Sequence, residues 1–178
     1  MSEHALYDYA AQRGRYLPRD HVKVLFVGES APDPAAKEPR FFYHPVLTAA
    51  DNLFRGIMLA LYGAAGNELL NTPKQGWLAR FQADGYFLED LCPLPVNYLP
   101  QSERSKARRA GVRDLIVRIK ALSPAGIIVC HAPTYRDLAG HLRANGLPLL
   151  HEQPVPFPLD SHRARFVEGV RAALAVSK

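Results

Sequence analysis

The fold is decided by the segment 22-VKVLFVGESAPDPAAKEPRFFYHP-45. Its first part, Val22–Val27, is a short apolar run rich in β-branched residues, which predicts a buried strand that ends at Gly28. The connection that follows is rich in proline and charge, shows no periodicity and ends in Phe41, Phe42 and Tyr43. A connection of this kind is usually functional or disordered, and its aromatic ending favours function.

Strands and helices alternate along the rest of the chain. Three further strands are predicted at Tyr86–Leu91, Gly126–Cys130 and Leu147–Leu150. Capping residues and helical spacing predict helices from Thr48 (in a capping box with Asp51) to Tyr62, from Thr72-Pro73 to Gly85, from Ser102 to Leu122, from Thr134 to Asn145, and from Ser161 onward. We therefore expect a three-layer α/β/α fold with a mostly parallel four-stranded sheet, as a single domain over residues 1–178.

Ligands of open α/β sheets bind outside the carboxyl ends of the strands. Four segments would meet at that edge: 28–45, 92–97, 131–133 and 153–161. The long loop after the first strand therefore leaves the sheet where a functional site is expected.

Composition narrows the class of protein. The chain of 178 residues has two cysteines and seven dispersed histidines, which provide neither a disulfide framework nor a metal site. It has no apolar run long enough to span a membrane and its first residues lack a signal-peptide layout, so we expect a reduced, cytoplasmic monomer. The net charge of +5 permits a polyanionic partner, and the arginines of 103-ERSKARRAGVR-113 are either a solvated helix face or a phosphate-contacting patch.

The motif Gly28-Glu29-Ser30-Ala31-Pro32 raises two further possibilities, a phosphate-binding loop and a serine hydrolase, and neither fits its pattern well. A phosphate-cradling loop needs several glycines, and only one is present. A serine hydrolase would place Ser30 in a G-x-S-x-G elbow, but Pro32 and Pro34 stand where that motif needs a sharp turn into a helix. A hydrolase using Ser30 remains an alternative.

Five stretches follow one another in a characteristic order: VLFVGES, FFY, GYFLEDLCPLPVN, LIVRIKALSPAGIIVC and PFPLDSHRARF. From Val22 to Leu174 this order resembles the uracil-DNA glycosylase superfamily, and it is nearest to the thermophile-type branch. VLFVGES is similar to the first family motif, and FFY stands where the family places the aromatic that stacks on the base. PFPLDSHRARF stands where the family carries His-Pro-Ser, the loop that enters the minor groove.

The resemblance implies hydrolysis of the N-glycosidic bond of a flipped base in DNA, and it assigns roles to residues. Glu29 would orient water and stabilise the sugar cation, and Asp90 would face the base edge as a second catalytic residue. The base would also contact Gly28, Ser30, Phe41, Phe42 and His131. The DNA contacts would come from Phe157, Pro158, Ser161, His162, Arg163, Arg108 and Arg109.

The sequence departs from the family at three points. Phe157 stands at the position of the catalytic histidine, Asp90 replaces the base-reading asparagine, and the iron–sulfur cysteines of the thermophile-type branch are absent, so no cofactor is expected. An ionised Asp90 would accept from a base that presents donors, whereas a protonated one would donate. The expected function is a divergent DNA glycosylase acting on a uracil-like or other deaminated or damaged base. The alternative is an inactive nucleic-acid or nucleotide-binding protein of the same fold.

Overall fold

The structure, a computed structural model, describes residues 7–32 and 40–176. Residues 33–39 of the predicted proline-rich loop and the first residues of the chain lie outside this description. The strands are β1 (Val24–Ser30), β2 (Tyr86–Cys92) and β3 (Ile127–Val129). The helices are α1 (Tyr9–Gly14), α2 (Asn52–Tyr62), α3 (Asn67–Asn71), α4 (Lys74–Ala83), α5 (Gln101–Leu122), α6 (Ala132–Ala144) and α7 (Arg163–Val176), with a 3₁₀ turn at Asp160–His162 before α7.

The three strands form one parallel sheet in the order β2-β1-β3. Helix α2 packs against α7, and α5 packs against both α6 and β2. The α/β prediction is therefore confirmed, and the arrangement fits a three-layer α/β/α fold. Within the described residues, no helix is long and apolar enough to cross a membrane.

The predicted fourth strand is wrong. Residues Leu147–Leu150 contribute a single bridge, between Leu149 and Ile127, instead of a ladder. The next donor of β3, the Val129 N–H, bonds to the ring Nε2 of His151 at 3.0 Å. A side chain therefore takes the place of strand pairing, and the sheet ends at β3.

Several helices begin at residues other than the predicted ones. The Asp51 carboxylate accepts the Thr48 N–H at 3.0 Å, as predicted for a capping box, yet α2 begins only at Asn52. Helix α6 begins at Ala132, because a proline in its first turn is pre-set for helical geometry. Helices α1 and α3 were not predicted.

The topology explains where a site forms. Strand β1 is central: the chain moves from it to β2 on one side and afterwards to β3 on the other. Connections that leave a central strand in opposite directions open a crevice at its carboxyl end, the point where ligands bind in open α/β sheets. Glu29 and Ser30 are the last residues of β1 and lie at this point.

Candidate functional site

A cavity of about 450 Å³ lies at the carboxyl edge of the sheet. Its walls include Glu29, Ser30, Phe41, Phe42, Asp90, His131 and Phe157, all singled out from the sequence. A volume of this size suits a small-molecule or base-sized ligand. A second cavity of about 410 Å³ lies among Arg19, Lys23 and Gly85, before β2 begins, and none of the predicted site residues lines it.

Glu29 is buried (9% exposed) and held by two arginines of α5. Arg104 binds both carboxylate oxygens through Nε, at 2.9 and 2.8 Å, and also bonds Oε2 through Nη2. Arg108 Nη1 donates to Oε1 at 2.8 Å, and its Nε is paired with Asp137 at 2.7 Å. The two arginines reach one carboxylate because positions four apart share a helix face. Burial would raise the pKa of Glu29, but the hydrogen bonds and charges of its cationic partners lower it below its usual value, so Glu29 is ionised.

His131 lies at the start of α6, beside Glu29. Its Nδ1 is 2.9 Å from the Thr134 hydroxyl and 3.9 Å from Glu29 Oε1. Burial lowers the pKa of His131 to about 4, and the positive charges of Arg104 and Arg108 add to this effect against the attraction of Glu29. The imidazole is therefore neutral at pH 7 and offers one N–H donor and one acceptor.

Asp90 faces Gly28 across the β1–β2 pairing, where the two residues are register partners. A Cβ on Gly28 would lie 2.5 Å from Asp90 Oδ1, so only glycine leaves room for this carboxylate. Oδ2 accepts from Arg13 Nη2 at 2.8 Å. Burial raises the pKa of Asp90 to about 6, although Arg13 opposes the shift. Asp90 is thus a carboxyl on the cavity wall that titrates near neutrality.

Phe41 and Phe42 line the cavity and also belong to the hydrophobic core. The ring of Phe42 lies 5.5 Å from that of Phe54 and 5.3 Å from that of Phe81, centre to centre. Lys74 fixes the backbone here, because its buried ammonium donates to the Phe41 carbonyl at 3.1 Å. Core packing and the Lys74 hydrogen bond therefore fix the position of this aromatic wall.

The segment that resembles the minor-groove loop is only partly in the cavity. Phe157 lines the wall, and its ring lies perpendicular to that of His131 at 6.3 Å. Pro158 is buried against α2, where a Cβ on Gly56 would lie 2.8 Å from its ring. Phe157 therefore lies on the cavity wall, while Pro158 packs the loop onto the domain.

The other residues predicted to contact DNA lie outside the cavity walls. Ser161 and His162 belong to the 3₁₀ turn, and Arg163 donates to Asn52 Oδ1 at 3.0 Å. Arg109 is exposed on α5. The prediction for Arg108 needs correction: it is only 4% exposed and its guanidinium is committed to two carboxylates, so it is not a surface phosphate contact.

Ser30 is not presented as a nucleophile elbow. Its hydroxyl accepts the Val96 N–H at 3.3 Å. An elbow requires a helix directly after the serine, whereas the next described helix begins at Asn52. The geometry therefore does not favour a hydrolase that uses Ser30.

Sequence reasoning missed Arg13 and the pairing of Arg104 with Glu29. A buried strand that contains two adjacent acidic residues, Glu89 and Asp90, signals that cations must lie nearby, because buried charges need partners. That signal does not identify the partner, since Arg13 is 77 residues from Asp90 along the chain. The spacing of Arg104 and Arg108 on one helix face was the available clue to the second pairing.

No cluster of three or more histidine, cysteine, aspartate or glutamate residues suited to a metal ion occurs in the described part of the chain. In comparisons with known proteins, no protein-family model matches the chain and no curated protein is significantly similar to it in sequence.

Proposed function

We propose that the cavity binds a nucleobase and that the protein is a divergent DNA glycosylase with a fold of the uracil-DNA glycosylase type. The main supporting observation is that residues from four separate segments, which the family resemblance assigns to catalysis or base binding, line one cavity at the carboxyl edge of the sheet. The described segments contribute a carboxylate, a titrating aspartate, a neutral histidine and aromatic rings.

The aromatic walls suit a planar heterocycle. Phe41, Phe42 and Phe157 come from two different segments, and stacking of a base on such a ring contributes ~1–3 kcal/mol with little dependence on base identity. Asp90 lines the same cavity as the polar group that reads the base edge. This combination of apolar faces with few polar groups is typical of small-molecule sites.

Hydrolysis would use the polar groups in separate roles. Water adds its oxygen to the sugar C1′ as the base departs with the bonding electrons, through an oxocarbenium-like transition state. The negative charge of Glu29 stabilises that cation and orients the water. The neutral imidazole of His131 donates its N–H proton to the departing base, and the imidazole regains a proton from the water whose oxygen bonds to C1′.

A second candidate function is base binding without cleavage, and it is favoured because the Glu29 carboxylate is already fully hydrogen-bonded to arginines. A carboxylate has about four lone-pair positions. Arg104 and Arg108 already direct four N–H contacts at the two oxygens. Water activation therefore requires Arg104 to release Glu29. Arg104 is the partner able to move, because 29% of its side chain is exposed, against 5% for Arg108.

An abasic-site assay tests the proposal. Single- and double-stranded oligonucleotides carrying uracil, hypoxanthine, xanthine or an alkylated base are incubated with the protein and then treated with alkali, which breaks the strand at abasic sites. Wild type is compared with Glu29→Gln and with Phe157→Ala, a cavity residue outside the buried core. Lys120→Ala, an exposed change near the other end of α5, is the control.

Strand breakage that is lost in Glu29→Gln and retained in Lys120→Ala supports a glycosylase and identifies its base. Binding without breakage, weakened in Phe157→Ala, supports the second candidate. Absence of both binding and breakage for every oligonucleotide refutes the base-site proposal.

A further inference from the structure

We propose that Arg13 is a positioning residue that holds Asp90 as a hydrogen-bond acceptor, so that the cavity selects heterocycles presenting an amino or ring N–H donor. The inference rests on the proposed base site and goes further by naming the class of base edge that the site accepts. It also assigns a role to α1, which carries none of the motifs recognised in the sequence.

One buried cation contacts two different groups of the cavity wall. Arg13 is 8% exposed, and its Nη2 donates to Asp90 Oδ2 at 2.8 Å. The same guanidinium lies 5.7 Å from the centre of the Phe41 ring, within the range of a cation–π contact. Its Nε lies 3.3 Å from Glu89 Oε1, an ion-pair contact without hydrogen-bond geometry. Arg13 therefore couples the position of the base-reading carboxylate to that of a stacking ring.

The Asp90 carboxylate is confined on both sides. Oδ2 is bonded to Arg13, and Oδ1 packs against Gly28 on the neighbouring strand. Since Asp90 lines the cavity, a ligand edge meets a carboxylate whose rotation is restricted and one of whose oxygens is already used. A ligand is then recognised by donation to the remaining oxygen.

The protonation state of Asp90 decides which ligands can bond to it. An ionised carboxylate only accepts, whereas a protonated one also donates. Burial raises the pKa of Asp90 to about 6, and Arg13 is the strongest force holding it down. The surrounding charged and titratable groups are Arg13 from α1, Glu89 and Cys92 from β2, Arg118 from α5, Tyr43 from the aromatic loop and Cys130 after β3. Loss of Arg13 would raise the pKa of Asp90 further, which favours the protonated form that donates.

The test compares ligands that differ only in one donor. The probes are 1-methylcytosine against 1-methylpyrimidin-2-one, and 9-methyladenine against 9-methylpurine; in each pair only the first carries an amino group. Equilibrium affinities are measured by calorimetry at pH 5 and pH 7.5. Wild type should prefer the amino-bearing member of at least one pair by about tenfold or more at pH 7.5, as expected for a hydrogen bond to a charged acceptor. The preference should shrink at pH 5.

Arg13→Met should lose the preference at pH 7.5 and resemble wild type at pH 5. Arg13→Lys, which keeps the charge, should restore part of it. Arg15→Met is the matched control, because Arg15 is an exposed arginine at the end of the same helix and should leave the preference unchanged. Melting curves establish that each variant is folded. Should Arg13→Met fail to fold, Arg13→Gln replaces it as the uncharged variant, and Asp90→Asn tests the acceptor itself, since its amide cannot ionise and its discrimination should not vary with pH.

The outcomes separate this inference from the proposed function. Binding of the probes by wild type without a preference for the amino group, or a preference that persists in folded Arg13→Met, overturns the role of Arg13 and leaves the base site standing. No binding of any probe by wild type at either pH overturns this inference, and the oligonucleotide assay decides separately whether the base site stands.

Discussion

The buried ion pair between Lys74 and Asp51 supports the cavity, and Lys74→Met tests how strongly. Lys74 Nζ lies 3.1 Å from Asp51 Oδ2 and 3.1 Å from the Phe41 carbonyl oxygen, and 4.8 Å from the centre of the Phe54 ring. Neither side chain of the pair is exposed. Burial lowers the pKa of Lys74 to about 8 and raises that of Asp51, so both charges are held in an environment that disfavours them.

The expected cost follows from what the substitution leaves behind. A methionine side chain would fill similar space, but the Asp51 carboxylate would lose its ammonium partner and keep the Thr48 N–H as a donor. Among the described residues, its Oδ1 already has no hydrogen-bond partner. Removing one member of a buried pair costs about 3–5 kcal/mol. That is a large part of the ~5–15 kcal/mol by which domains are stable, and it corresponds to a fall in Tm of about 6–20 °C.

Urea unfolding followed by circular dichroism measures this cost. The control is Lys106→Met, which breaks an exposed pair with Glu103 and should change stability by less than about 0.5 kcal/mol. Adding Asp51→Asn to Lys74→Met should recover part of the loss, because the buried charge is then removed. A loss below about 1 kcal/mol in Lys74→Met, or no recovery in the double variant, would refute the account of this pair.

Three further predictions concern the site itself. Gly28→Ala should destabilise the protein by about 1–3 kcal/mol and abolish base binding, because its Cβ would press on Asp90 Oδ1. The control Gly140→Ala, in open space on α6, should stabilise the protein by about 0.5–1 kcal/mol in the same unfolding assay. The pKa of Asp90 is about 6 in the folded protein against an ordinary 3.8, so folding favours the protonated carboxyl. Its contribution to stability is therefore present below pH 4 and is lost as the pH rises through 6. Relative to Asp90→Asn, wild type should lose about 3 kcal/mol of unfolding free energy across that window. Arg108→Met should lower the unfolding free energy by about 3–5 kcal/mol, because it removes a buried cation from two carboxylates. Arg109→Met should leave stability unchanged and flatten the salt dependence of DNA binding, because Arg109 is exposed. Equal effects of the two substitutions on stability would contradict the structure.

Local pattern sufficed for the central strands. β1 and β2 lie close to the predicted ranges, and β3 lies inside its predicted range. β1 and β3 are apolar runs that contain β-branched residues, and β2 begins with two aromatic residues and is followed by a proline, all of which are strand signals. The run Leu147–Leu150 is also short and apolar but does not form a strand, because pairing depends on whether the neighbouring strand still offers free backbone donors. Such long-range competition leaves no trace in a short stretch of sequence.

The sequence predicted which residues lie near the cavity but not which side chains form ion pairs with them. The rule that ligands bind at the carboxyl edge of the sheet brought together Glu29 and His131, and the family resemblance added Asp90; the structure places all three on the walls of one cavity. Their protonation states depend on Arg13 and Arg108, which are 77 and 79 residues away from their carboxylate partners in sequence. Side-chain pairs at such separations follow from packing and have no periodicity to reveal them.

The most direct test of the central claim is the release of a free base from DNA under single-turnover conditions, measured by mass spectrometry. With protein in excess over an oligonucleotide that carries one deaminated or damaged base, the account predicts a free base and an abasic strand in equal amounts. Glu29→Gln should abolish both products, and Lys120→Ala should retain them. Release that continues undiminished in Glu29→Gln, or an intact strand with every substrate, would contradict the assignment of this cavity as a glycosylase site.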